Sequence, residues 1–405
     1  MTKTPTRYIS TCRLALTIIL MTGVKPATGD DLGFTIIPVF KTVLGYDTNI
    51  FRAPHHQQCS KFLSINPSLT LQTTLPQTAW QESKYSLSLN SDSHRYLNAR
   101  EADYTDVAAS IDMCHFLDDK SRIAADFTIA ELHNTCTPRR SHTPPPEYRK
   151  YTTNIFYTSH LDRINTELEV AGTLDKRQHK LYKTRQSNGT WGATFYHPIF
   201  SKTQAIVELN KRSLLSDSNS SANVGTNKGF YVTNYLIGIN WEIAGHAPDY
   251  PLINGDVRWG RRYRDAKSPG PNNSKHYPGW QVTLSYLPCS CSQLQLISHR
   301  DYNLIADPEP SACFTNGTQT TLIWRHNWLT YIKSDLSWSV THEQLQDQSG
   351  SAIEKRKTDT IALNITLDLG WQTDSGATIS FGHNRQNRHN SFSYHTYQVE
   401  VTLQL

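Results

Sequence analysis

One pattern constrains this chain more than any other. Apolar residues recur at every second position over stretches of about 10 to 15 residues, roughly twice the usual strand length of about 5 to 6. In "TIALNITLDLGW" the apolar set is Ile361, Leu363, Ile365, Leu367, Leu369 and Trp371, with Ala362, Asn364, Thr366, Asp368 and Gly370 between them. In "FYVTNYLIGINWEI" Tyr231, Thr233, Tyr235, Ile237, Ile239, Trp241 and Ile243 alternate with a set that includes Asn234, Asn240 and Glu242. Side chains of a strand point alternately to opposite faces, so each stretch is a strand with one apolar and one polar face. A tilted strand needs about 9 to 11 residues to cross a bilayer, and these are long enough.

The connections give the architecture. Segments of this kind number about 18, spread evenly from Phe34 to Leu405. Every second connection reads as short ("LPQTA", "LDDK", "LDRIN", "LPCSCS", "NWLT"), and the others as long and polar ("HNTCTPRRSHTPPPEY", "SDSNSSANVGTNK", "DAKSPGPNNSK"). Short turns inside and long loops outside mark an outer-membrane barrel, and an even strand number puts both termini on the periplasmic side. The predicted fold class is therefore all-β: a transmembrane antiparallel up-and-down barrel. Tyr286, Trp324, Trp328, Trp338, Trp371 and Trp241 lie at or near strand ends on the apolar phase, as an interfacial girdle requires. The last segment, "YQVEVTLQL", is predicted to pair with the first, near "FTIIPVFKTVLGYDTN", and so to close the barrel.

Composition excludes other classes. Hydrophobic residues make up 37% of the chain, too few for a bundle of transmembrane helices. The long apolar run is "CRLALTIILMTGV", residues 12–24, with Lys3, Arg7 and Arg13 at or before its start and Ala27-Thr28-Gly29 after it. That is the pattern of a signal peptide, predicted to span residues 1–29 with cleavage between Gly29 and Asp30, leaving 30–405 as the barrel. The alternative, an uncleaved anchor, asks a run too short for a helical span to cross the membrane. The leader takes Lys3, Arg7, Arg13 and Lys25 with it and no acid, so the formal charge falls from +5 by four to +1. Nucleic acid then loses its compositional support as a partner.

Six cysteines remain in the mature chain: Cys59, Cys114, Cys136, Cys289, Cys291 and Cys313. An exported chain meets an oxidising compartment, so disulfides are allowed, but spacing does not fix their pairing. Cys289-Ser290-Cys291 is predicted to be a turn position; without neighbouring histidine or further cysteine it makes a poor metal site. The same holds for His55-His56 with Cys59, taken as a solvated loop, and neither a metal nor a cofactor is expected. Asn188-Gly189-Thr190 and Asn316-Gly317-Thr318 match glycosylation acceptors, but Asn-Gly is also a turn dipeptide, which suffices here.

The polar phase is predicted to line the lumen. It carries both charge signs, among them Lys41, Asp47, Lys84, Asp112, Asp126, Glu167, Glu169, Glu208, Asp256, Lys333 and Asp335. At this strand count side chains alone do not fill the interior, and a water-filled lumen is the simpler expectation. "DVRWGRRYRDA" is the most basic strand, with Arg258, Arg262 and Arg264 on one phase. Three guanidinium groups on one wall suit carboxylates of an acidic sugar polymer; alternatively they balance lumen acids such as Asp256 or Glu242. Arg325 is a further lumen candidate. His389, Asn390 and Ser391 are the residue types of a hydrolase triad, but adjacent loop residues seldom meet its geometry, so an enzyme is not expected.

"LGYDTNIFR", residues 44–52, resembles the opening signature of the putative β-barrel porin type 2 family, which includes outer-membrane barrels of exopolysaccharide operons. Tyr46, Asp47, Asn49, Phe51 and Arg52 match its "YD-x-N-x-(F/Y)-R" stretch. "FLSINPSLTLQTTL", "GTWGATFYHPIFSKTQAIVEL" and "WRHNWLTYIKSDLSWSV" are similar to later parts of the barrel. The resemblance implies an outer-membrane barrel tied to exopolysaccharide or capsule biosynthesis and export. Its implied partners are membrane lipid, the barrel-assembly machinery through the last strand, a polysaccharide chain and periplasmic export proteins. No catalytic residue comes with it. The extra cysteines, Pro144-Pro145-Pro146 and a terminal Leu405 in place of an aromatic depart from the pattern. A general diffusion porin is the alternative, and a barrel hydrolase with a loop site a third. Asp47 and Asn49, on the lumen side of the first strand's outer end, either bind ligand or pin a loop.

Overall fold

The computed structural model describes residues 34–404 apart from 54–56, 79–80, 136–143, 181–183, 219–227, 245–250, 267–273, 305–313, 347–351, 369–375 and 388–391. Eighteen strands follow one another: β1 Phe34–Asp47, β2 Ser60–Thr78, β3 Gln81–Tyr96, β4 Tyr104–Phe116, β5 Ser121–His133, β6 Glu147–Leu161, β7 Thr166–His179, β8 Thr184–Phe200 and β9 Thr203–Ser218. The second half comprises β10 Lys228–Ala244, β11 Pro251–Ala266, β12 Ser274–Cys289, β13 Ser292–Leu304, β14 Phe314–Leu329, β15 Ile332–Gln346, β16 Ala352–Asp368, β17 Gly376–Asn387 and β18 Phe392–Gln404. Each pairs antiparallel with its neighbours in sequence, and β18 returns to β1, so the sheet has no free edge. Among the described residues helix is confined to single turns at Arg100–Ala102 and Asp162–Ile164.

The strands run from 12 residues in β17 to 19 in β2, longer than a membrane crossing needs. The wall therefore projects beyond the bilayer. The closing ladder extends from Val39↔Gln404 to Asp47↔Thr396, so the last strand is held along its length, as its regular alternation predicts. The predicted signal peptide and Leu405 lie outside the described residues.

The two faces differ as period two requires. On β10 Tyr235, Ile237, Ile239 and Ile243 are exposed, as are Leu87, Phe127, Ile155, Leu336 and Val399 elsewhere, so this phase faces lipid. Trp328 and Tyr286 lie near the short-turn ends; Trp324 and Trp328 each donate their indole N–H to a serine, Ser292 and Ser334, at 3.0 Å. That is how a girdle aromatic combines an apolar body with a satisfied polar edge. Trp371 lies outside the described residues.

Three expectations need correction. The short–long alternation is not strict: β7 and β8 are joined on the long-loop side by residues 180–183 alone, while β10 and β11 are joined on the short side by 245–250. Asn188-Gly189 and Asn316-Gly317 are not turns but lie inside β8 and β14, where pairing on both sides overrides local preference. The lumen wall is also not uniformly polar or wet. Ile206 on β9 and Val232 and Leu236 on β10 occupy the inward phase and are at most 1% exposed, so this part of the wall is covered from within.

Candidate functional site in the barrel lumen

Two constellations occupy the lumen side. The first is at the outer mouth, where β1 ends. Asp47 accepts hydrogen bonds from the Asn49 backbone N–H at 2.8 Å and from Arg52 Nη1 at 2.9 and 2.8 Å. Asn49 ties its own loop both ways, donating to the Ala53 carbonyl and accepting from the Ala53 N–H, each at 2.9 Å. Arg52 has a φ of 53°, the left-handed region that side chains rarely adopt. It is held there by the Asp47 pair and by the Tyr394 ring of β18, whose centroid is 3.6 Å from the guanidinium carbon.

These bonds turn residues 48–53 inward. Ile50 and Phe51 are thereby buried against Val43, Phe62, Tyr96, Ala99 and Ala102. Gly45 makes this possible: a Cβ there would come within 2.2 Å of the Phe62 ring, so any larger residue would displace the aromatic. Phe62 also stacks on His94 at 4.3 Å between centroids. The arrangement is an apolar lid under the first outer loop. It assigns every residue of the "YD-x-N-x-F-R" stretch a place, with Tyr46 on the lipid face near Tyr397. Asp47 and Asn49 are 3% and 0% exposed, which is the geometry of a pinned loop and not of a solvent-open binding site.

The second constellation lines β9, β11 and β13. Arg258 donates to Asp256 and to Glu208, each at 2.7 Å, and reaches the Tyr196 hydroxyl at 3.3 Å. Asp301 receives Arg262 at 2.8 Å on one oxygen and Arg212 at 2.9 Å on the other. Asn234 bonds Asn210 at 2.6 Å on the rung between them. Arg262 faces Tyr277 across the ladder and lies over the neighbouring Gly279, where a Cβ would meet the Arg262 Nε at 2.6 Å. Arg262 and Arg264 are 5% and 1% exposed.

Charge balance by Asp256 is therefore correct, but Glu242 is not a partner of these arginines. It pairs with Lys202 at 3.5 Å beside the β9 turn, because its place near the strand end puts it out of reach. Asp301, Arg212 and Tyr196 escaped the sequence reading; their inward phase is visible in the alternation of β13, β9 and β8, but alternation does not say which strands approach across the interior. Arg325 faces the lumen apart from this group, 3.7 Å from Asp335 and close to half exposed.

Cys289 and Cys291 are joined by a disulfide in the β12–β13 turn, a pairing their spacing left open. Cys59 is exposed and Cys114 half-buried, both free thiols, while Cys136 and Cys313 lie outside the described residues. So do His55, His56, His389, Asn390 and Ser391. Among the described residues no group of three His, Cys, Asp or Glu is placed to hold a metal.

A closed barrel with an inward signature loop at its first strand calls for comparison with known families. Residues 25–191 match the family described as Putative beta-barrel porin 2. The matched span includes the signature loop and β1–β7, whereas the arginine-bearing strands β9–β13 lie beyond it. No curated protein matches the chain.

Solved structures with a similar fold include the FrpB iron transporter of Neisseria meningitidis. In its F5-1 apoprotein form it has a TM-score of 0.50 at 12% identity, over 87% of this chain and 62% of that one. The F3-3 variant gives 0.49 at 11% identity over the same shares. OpdK of Pseudomonas aeruginosa, solved with vanillate, gives 0.47 at 9% identity, over 91% of this chain and 99% of that one. The chain thus spans about 62% of the length of the FrpB chains. The likeness is one of fold, the closed antiparallel barrel of outer-membrane proteins.

Proposed function

We propose that this barrel is a gated porin through which an extended, hydroxyl-rich polymer, an exopolysaccharide, crosses the outer membrane. The observation that carries the reading is the inner wall of β9, β11 and β13. Its guanidinium, carboxylate, amide and phenol groups are ranged along the strands with both charge signs paired to each other. The part-exposed members of this wall, Asp256, Arg212 and Asp301, offer hydrogen bonds to sugar hydroxyls without a single deep trap, and passage needs binding strong enough to enter and weak enough to leave. Arginine adds bidentate capacity for sugar carboxylates when a passing anion exchanges with Asp256, Glu208 or Asp301. The resemblance of "LGYDTNIFR" to exopolysaccharide-operon barrels supports the same substrate class.

The inward signature loop supplies the gate. Its bonds join β1 to β18, so that opening the loop means breaking the Asp47–Arg52 pair and lifting Ile50 and Phe51 out of the apolar cluster. The decisive experiment deletes the gene and quantifies secreted polymer, with a plasmid copy as control; unchanged export would sink the proposal. The alternative, a general diffusion porin, is favoured instead if purified barrels in planar bilayers conduct small ions steadily and acidic or neutral polysaccharide fragments fail to interrupt the current.

A further inference from the structure

The lipid face of β9–β11 changes character abruptly toward the long-loop end. Its rungs can be read across the three strands. Val207, Ile237 and Trp259 form one outward rung, and all are broadly exposed. The next rung outward is Leu209, Tyr235 and Arg261; the one beyond it is Lys211, Thr233 and Tyr263. Lys211 and Arg261 are both exposed on this phase beyond the apolar band, as are Lys176 of β7 and Lys357 of β16 toward the same end of their strands. Tyr235 and Tyr263 stand edge to face between them at 5.6 Å, and Lys211 Nζ lies 5.1 Å from the Tyr231 ring. Asp265, the described acid on this phase, lies further out, opposite Tyr231.

Charged side chains on the lipid face are tolerated only close to the interface, so Lys211 and Arg261 mark the outer headgroup level. Toward the short-turn end the exposed outward residues include Ile243 of β10, Tyr286 of β12 and Trp328 of β14. Strand spacing places the two cations about 12 Å apart at Cα, a gap that two long side chains and one phosphate fill. Below them the exposed Ile237, Ile239 and Trp259 offer a surface for acyl chains.

We propose that Lys211 and Arg261, with Tyr235 between them, form a binding site for the phosphate of an anionic glycolipid in the outer leaflet, whose acyl chains lie along Ile237 and Trp259. The cations are complementary to the headgroup, the tyrosines sit at the depth where aromatic and polar groups meet, and the apolar rungs continue toward the bilayer centre. The inference does not depend on what passes through the lumen.

The test uses the full chain in phosphatidylcholine nanodiscs doped with bisphosphorylated lipid A or with its dephosphorylated form, and reads bound glycolipid by native mass spectrometry. The wild type is expected to retain the phosphorylated form selectively. Lys211→Gln with Arg261→Gln should weaken that binding roughly thirtyfold, two interfacial charges being lost, while the charge-keeping pair Lys211→Arg with Arg261→Lys retains it. Millimolar inorganic phosphate should not displace the lipid. Equal retention of both lipid forms, or equal binding by wild type and the Gln double variant, overturns the proposal. Displacement by inorganic phosphate also overturns it, in favour of a free-anion site. If the double variant fails to assemble, Lys211→Gln alone, expected to bind several-fold more weakly, decides in the same way.

Discussion

Lys41 Nζ on the first strand lies 2.8 Å from Glu400 Oε2 on the last, inside the lumen and across the line where the barrel closes. Both residues are on the inward phase, Lys41 opposite Thr402 and Glu400 opposite Val43, so the ion pair is diagonal across the ladder. On the lipid face of the same seam Tyr46 and Tyr397 stand opposite each other. The seam is therefore fastened by backbone hydrogen bonds in the wall, an ion pair within and an aromatic pair without. Register is specified from both faces, which matters because a slip of one residue would turn every side chain of β18 to the wrong side.

Lys41→Ala should destabilise the assembled barrel only slightly, by about 1 kcal/mol or less, because the pair is partly open to the lumen and solvent screens it. Glu400→Lys should cost more, since it sets two cations across the seam. Exchanging the pair, Lys41→Glu with Glu400→Lys, should recover most of that loss. Urea unfolding followed by tryptophan fluorescence in lipid vesicles measures all three, and a double exchange no better than Glu400→Lys alone would show that the pair does not act as a unit.

At the outer mouth, Arg52→Ala should leave Asp47 buried without its partner and free the loop from Tyr394. Breaking a buried pair from one side costs about 3 to 5 kcal/mol. Here the loss should appear mainly as release of the loop, because the strands keep their ladders. Single-channel recordings should then show higher conductance and longer open times, and a protease should cut between 48 and 58 faster than in the wild type. Unaltered conductance together with unaltered cleavage would mean that the loop is held by the apolar cluster alone.

Much of this fold is legible in the amino-acid sequence, and for a physical reason. Alternation with period two fixes which face each side chain takes, so the lipid-facing sets of β3, β5, β10, β15 and β18 follow from sequence. What alternation does not carry is distance across the interior. Nothing in "SHRDYNL" says that Asp301 bridges Arg212 and Arg262, because those contacts depend on how β9, β11 and β13 curve toward one another. The buried Ile206 and Leu236 escaped for a related reason: an apolar residue on a lumen phase reads as an exception until it is known to be covered. Asn49 and Arg52 were visible as a motif, but the left-handed turn that makes them a loop clasp is a backbone property.

The short turns carry an ion pair whose pH response has a definite sign. The Lys120 ammonium, hydrogen bonded to Asp162, holds that carboxyl below the usual carboxylate range, and the same hydrogen bond raises the Lys120 ammonium above its ordinary value. The Asp162 contribution is present above the ordinary carboxylate range and is lost as the pH falls through its lowered value. The Lys120 contribution is present below the ordinary lysine range and is lost as the pH rises through its raised value. The turn-to-turn contact between β4–β5 and β6–β7 should thus be constant near neutrality and weaken at both extremes. Nuclear magnetic resonance of labelled lysine should find Lys120 titrating lower in Asp162→Asn than in the wild type; identical titrations would remove the coupling.

Arg258 is the residue whose removal separates charge from scaffold in the lumen. It joins Glu208 of β9 to Asp256 on its own strand, and all three are at most one-fifth exposed. Arg258→Gln leaves two carboxylates facing each other on the lumen wall, so the assembled barrel should lose about 3 to 5 kcal/mol and favour cations. Reversal potentials in planar bilayers under a salt gradient read the second effect directly. Arg258→Lys keeps the charge but not the planar fork that serves two carboxylates at once, so it should hold the selectivity while recovering only part of the stability. Adding Glu208→Gln and Asp256→Asn to Arg258→Gln should restore stability, because neutral amides replace unpaired anions, and should return selectivity toward the wild-type value. If selectivity does not follow the charge through this series, the ions pass along another wall of the barrel, and the arginines of β11 serve the structure alone.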